Sequence, residues 1–123
     1  MDKQYMSISS IDTMPNTGVG IVQQKHIVTF DGLCPVSDNP KPGSYVEITY
    51  TPNKWFLEVY SLKDFVNSFT GGKRMGNERI RDMERTIQEI AAAAFEAVEV
   101  PVYVFAHLVL DAGIMELVVE RGT

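Results

Sequence analysis

Cysteine, histidine and tryptophan are scarce in this 123-residue chain, which has one Cys, two His and one Trp. A single cysteine closes no internal disulfide, so a reducing compartment is the simplest setting. One cysteine with His26 and His107 cannot assemble a Cys/His zinc centre, and no metal is expected. Positive charge is in deficit as well: 11 Lys and Arg stand against 16 Asp and Glu, a net charge of −5. Phosphate backbones require clustered cations, so nucleic acid is not the expected partner. That leaves room for a small anionic ligand at a local basic patch. No apolar run reaches membrane-spanning length, and the opening MDKQYMSISS has no signal-peptide core. The expectation is a cytoplasmic protein without membrane contact.

What the chain does have is 45% apolar residues, enough for one core. A domain this small buries a modest share of its surface, so self-association would help it. Residues 1–16 are polar and aperiodic and are expected to form a tail or strap; 17–123 read as a single domain. GIVQQKHIVTF alternates as a strand, with His26, Val28 and Phe30 on one face. GLCPVSDNPKPG is a loop by its Pro, Gly, Asp and Asn content. SYVEITYT is a second strand. SLKDFVNSF switches to helical spacing, with Leu62, Phe65, Val66 and Phe69 recurring and Ser61 with Asp64 as its capping pair. After TGGKRMGN a long helix is predicted over 78–98 with Asn77 as N-cap, and PVYVFAHLVL and IMELVVE form two strands around an Asp-Ala-Gly turn.

The order is β-β-α-α-β-β. It predicts an α+β fold in which a four-stranded antiparallel sheet carries both helices on one face. VYVFAHLVL is apolar on both faces, more than a one-sided sheet requires, so the open face and edges are expected to be covered by further copies of the chain. His107 reads as a hydrogen-bonded sheet histidine. Cys34 sits in a Pro/Gly loop directly before Pro35; a lone cysteine is ordinarily a small buried hydrophobe, and the loop setting argues for a reactive one.

Three segments together resemble the 7-cyano-7-deazaguanine reductase family, nitrile reductases of the tunnelling fold. IDTMPN is similar to the family's LETFPN-type lead-in, TFDGLCPVSDNP to EFTSLCPxTGQP, and YTPNKWFLEVYSLKDFVNSF to YxPxKxxxESKSLKLYxxSF. The resemblance spans roughly residues 11–120. It implies a barrel-type oligomer, such as a decameric stack of rings, with sites between subunits and a 7-deazapurine as the small-molecule substrate. In that family a cysteine thiolate attacks the nitrile carbon, and NADPH reduces the thioimide to an aminomethyl group. Cys34 matches the nucleophile; a neutral thiol would be a poor one.

The carry-over is uneven. The family aspartate seven residues after the cysteine falls on Lys41 here, and Asp38 is the local substitute for the acid that protonates the nitrile nitrogen. The purine-like edge would be held by Glu78, with Asn77 where the family has histidine, and by Glu58 and Ser61 of the Glu-Val-Tyr-Ser-Leu-Lys run. Lys63 matches a cofactor lysine, Tyr60 replaces another, and the family's late Arg-Gly-Gly-Ile reads Asp111-Ala112-Gly113-Ile114. Lys73 and Arg74 in the glycine loop are the substitute cations for NADPH. Archaeal relatives lack the NADPH run and add ammonia to the nitrile, giving an amidine on transfer RNA; they keep the aspartate this chain lacks. The expected activity is therefore nitrile reduction, with amidine formation as the alternative and a catalytically silent purine-binding oligomer as a third reading.

Overall fold

The computed structural model describes residues 9–18 and 20–123. Its centre is a four-stranded antiparallel sheet of β2 (Gln24–Thr29), β3 (Tyr45–Tyr50), β7 (Val102–Leu110) and β8 (Gly113–Arg121), in the order β2-β3-β7-β8. Helices α1 (Val59–Asn67) and α2 (Met83–Val98) cover one face. Alternation makes this arrangement: Val46, Ile48 and Tyr50 of β3 and Val102, Val104, Ala106 and Leu108 of β7 all turn inward and are buried. They meet Leu62, Phe65 and Val66 of α1 and Ile87, Ile90, Ala91, Ala94 and Val98 of α2. The expected β-β-α-α-β-β frame is present.

Two small ribbons are added to it. β1 (Thr13–Pro15) pairs with β4 (Trp55–Leu57), and Ile11 just before β1 is buried in the core. Residues 11–15 thus strap the start of α1 within their own protomer. β5 (Lys73–Met75) and β6 (Glu78–Ile80) form a hairpin whose two-residue turn is Gly76-Asn77, with Gly76 at φ 63. Here the structure departs from the predicted helix over 78–98. Asn77 is a turn residue and not an N-cap, and Glu78 lies in a strand. The helix begins at Met83, where Asp82 caps it by accepting from the Arg85 N–H at 3.0 Å. The start of α1 differs too. Glu58 is the cap, taking the N–H groups of Tyr60 and Ser61 at 3.0 and 2.9 Å, so the Ser61–Asp64 pair does not act as the box expected.

Among the described residues nothing covers the far face of the sheet, where Ile27 and Val118 stand exposed. Its rows follow from register: Ile27, Glu47, Phe105 and Val118 lie side by side, next to Thr29, Tyr45, His107 and Glu116. His107 bonds Glu116 at 2.7 Å and stacks on Tyr45, which is the sheet role read from its alternation.

Lys73 is the unusual core member, 6% exposed, with its ammonium 4.1 Å from the Phe65 ring centre and 4.4 Å from that of Phe69. It ties the hairpin to α1. Loss of hydration lowers it from 10.5 to about 8 despite the opposing charge of Glu89. Between those values the unfolded chain binds the proton that the folded chain has lost, so stability should rise with pH from about 8 to 10.5. Urea midpoints across that range check this; the rise should flatten in Lys73→Met.

Candidate functional site

Cys34 is presented by a turn that the core fastens from one side. Phe30 and Leu33 are fully buried, so the chain is pinned immediately before the cysteine. Pro35, Val36 and Ser37 then form a turn, exposed at Pro35 and Val36 and half-buried at Ser37. It closes with the Cys34 carbonyl accepting the Asp38 N–H at 2.7 Å and the Cys34 N–H donating to the Asn39 carbonyl at 3.0 Å. Asp38 holds φ 58, a left-handed conformation that an Asp tolerates better than most residues. Cys34 itself is partly exposed.

The turn wraps polar hydrogens around the sulfur. The Ser37 hydroxyl is the largest influence, followed by the N–H groups of Ser37 and Val36; with a smaller electrostatic contribution from Arg81 they lower the thiol from 9.0 to about 7. Hydrogen bonds to the charged form favour it. Near neutral pH about half of the cysteine is thiolate, the form that attacks carbon.

The surroundings come from two loops. Gly71 N–H donates to the Gly32 carbonyl at 2.9 Å, and the Thr70 hydroxyl donates to the Asp31 carbonyl at 3.0 Å. These bonds place the segment after α1 against the cysteine loop. Arg81 lies along Gly72 in the same region, so close that a Cβ built on Gly72 would sit 2.9 Å from its Cγ. Gly72 also holds φ 90. Asp38 lies over Gly32, where an added Cβ would come 3.3 Å from Oδ1.

Glu58 and Ser61 are elsewhere. Both line an open cleft of about 430 Å³ with Ser9, Ser10, Asp12, Tyr60 and Asp64. The Ser61 hydroxyl accepts the Asp12 N–H at 2.7 Å, and both Glu58 oxygens take helix N–H groups, which holds its carboxyl below the usual range. The cysteine loop is bonded through Asp31 and Gly32 to Thr70 and Gly71 just after α1, while Glu58 caps the start of that helix. The helix between those two places, nine residues long, spans about 13 Å. One protomer therefore does not bring the expected nucleophile and the expected Glu58–Ser61 anchor together.

Glu78 does not occupy a helix start; it is exposed on β6 and paired with Arg85 at 3.0 Å. Asn77 is exposed at the hairpin tip beside it. Of the three cations expected to meet a cofactor, Lys63 and Arg74 face solvent, while Lys73 is turned into the core and is not a surface cation. Arg74 sits directly across from Arg79. The residues that sequence reasoning missed are Ser37, Lys41 and Arg81. A serine three residues past the cysteine was a visible signal; Arg81 carries none, because only the hairpin brings it back. Among the described residues no group of His, Cys, Asp and Glu is placed to hold a metal ion, and no helix is long and apolar enough to cross a membrane.

No protein-family model and no curated protein matches the sequence. Among solved structures, the chain is similar to the crystal structure of the archaeosine synthase QueF-Like in the apo form. The two are 18% identical with a TM-score of 0.67, and the match covers 85% of this chain and 98% of that one. The fold is thus QueF-like, the frame expected from the order of the elements.

Proposed function

We propose that this chain is a tunnelling-fold enzyme whose Cys34 thiolate adds to the nitrile carbon of 7-cyano-7-deazaguanine or a derivative of it. The observation that carries this reading is the partly exposed sulfur of Cys34 in a closed turn whose Ser37 and Val36 groups favour its charged form, on a QueF-like fold. The sulfur pair forms the S–C bond, and a π pair of the nitrile moves to nitrogen, which takes a proton. The reading has Asp38, the carboxyl group on that turn, pass the proton released by the Cys34 thiol to the nitrile nitrogen.

The fate of the thioimide divides the reading. Of the three cations read as a cofactor set, Lys73 lies under two aromatic rings, which weighs against the NADPH reading. NADPH is a poor fit to these residues. Addition of ammonia or another amine fits better. The amine forms a bond to the thioimide carbon, the S–C bond breaks with its pair returning to sulfur, and an amidine leaves. Amidine formed from 7-cyano-7-deazaguanine in ammonia, with no NADPH oxidation in its absence, is the expected result; nitrile-dependent NADPH oxidation would restore the reductase reading.

The same proposal includes assembly. On this reading Cys34 and Glu58, which one protomer keeps at different ends of α1, meet where the α1 start of one copy approaches the cysteine loop of another. The sheet edges suit that: Lys25 stands on the β2 edge and Glu116 and Glu120 on the β8 edge, all on the open face. Sedimentation at micromolar concentration should give a multiple of 13.8 kDa; a monomer would remove the shared pocket.

A further inference from the structure

Lys41, where the sequence comparison looked for an acid, has a different task in this structure. Its ammonium donates to the Ser37 carbonyl at 2.9 Å and stands 3.4 Å from Asp111 at the β7–β8 turn. Its backbone is itself fixed. The Lys41 N–H donates to the Val109 carbonyl at 2.7 Å, and its carbonyl accepts the Ser44 hydroxyl at 2.8 Å. Ser44 in turn takes the Val109 N–H at 2.9 Å. A side chain rooted on β7 in this way reaches back across the loop to Ser37, three residues past the cysteine, whose hydroxyl and N–H are the leading influences lowering the thiol.

The turn it reaches has almost no packing of its own. Val36 at its tip is 87% exposed, so between buried Leu33 and Pro40 the turn depends on polar links for its shape. Those links run through few residues. The Ser37 hydroxyl accepts the Asn39 N–H at 3.3 Å, and the Asn39 side-chain oxygen accepts the Asp111 N–H at 3.3 Å. Lys41 and Asp111 therefore hold both Ser37 and Asn39 from the sheet side. A hydrogen bond in which the donor is charged is among the stronger polar contacts available to an exposed loop.

We infer that Lys41 is a positioning residue for the Cys34 thiolate: held by Asp111, it clamps the Ser37 carbonyl so that the Ser37 hydroxyl and N–H stay aimed at the sulfur. The inference rests on Cys34 being the nucleophile of this site. It explains how a chain with lysine at this position keeps an activated sulfur. Lysine and aspartate across the loop add polar support where packing at the tip of the turn is slight.

The test is the pH dependence of Cys34 alkylation by iodoacetamide, which reads thiolate without any nitrile substrate. Failure here is therefore distinct from failure of the nitrile chemistry. Wild type should titrate at about 7. Lys41→Met should move the midpoint towards about 8 and slow alkylation at pH 7 about five-fold, as the thiolate fraction falls. Asp111→Asn should move it the same way by less, and Lys41→Arg should restore it. In a Ser37→Ala background the Lys41→Met shift should shrink, because the clamp then has less to hold. Asp111 is exposed, so its variant carries the test even where Lys41→Met folds poorly. Profiles of Lys41→Met and Asp111→Asn that superimpose on wild type would overturn the inference. So would shifts that add fully in the Ser37→Ala background, since Lys41 would then act on the sulfur through its charge and not through the turn.

Discussion

Intact protein incubated with 7-cyano-7-deazaguanine should gain the mass of one ligand per chain, and Cys34→Ala should abolish that gain entirely. The chain has one cysteine, so no second thiol can substitute. The effect is all-or-none because the variant removes the bond-forming atom and not a contact around it. The pH profile adds a second criterion. With the thiol lowered to about 7, adduct formation should fall about tenfold per pH unit well below that value and level off above it. An ordinary cysteine would keep gaining rate up to its reference value of 9.0. Ser37→Ala should move the levelling-off upward, since its hydroxyl is the largest influence on the sulfur. Clear equilibrium binding of the nitrile with an unchanged mass at every pH would replace the enzyme by the silent purine-binding oligomer.

The sheet and both helices were legible in the sequence because their periods are clean. Val46, Ile48 and Tyr50 alternate, Leu62, Phe65, Val66 and Phe69 recur at three and four, and burial follows those periods. The error at residues 73–82 has a physical cause. Ile80 and Met83 continue the apolar stripe of α2 backwards at helical spacing, so periodicity alone extends the helix. The local signal against it was Gly76-Asn77, a two-residue hairpin turn between short segments. That one turn decides much of the site: it takes Glu78 off a helix start, turns Lys73 inward and places Arg81 by the cysteine loop. The cysteine's setting was only half legible. Its loop could be read from Pro and Gly, but the donors on its sulfur depend on how residues 35–39 close. The clamp from Lys41 depends on the distant Asp111, and no local pattern relates the two.

Phe65→Ala should produce the largest loss of stability among the substitutions considered. The ring is 1% exposed, meets Phe69 edge-on at 5.5 Å and carries the Lys73 ammonium on its face. Truncating a buried phenylalanine costs about 3–5 kcal/mol, a large part of what a domain of this size has in reserve. Part of the cost here is electrostatic. Without the Phe65 face, the ammonium remains in the same dry interior with fewer compensating contacts, and a charge so placed is worth about 0.5–2 kcal/mol against an aromatic face. That share should disappear when the charge does: Phe65→Ala should be less damaging in a Lys73→Met background than in wild type, by about 1 kcal/mol. Urea unfolding of the four proteins at pH 7 measures it. Equal costs in both backgrounds would show that the ring acts by volume alone. A smaller cost with Lys73→Met would identify the lysine–phenylalanine contact as the tie between the β5–β6 hairpin and α1, and so as the contact that keeps Arg81 in reach of Cys34.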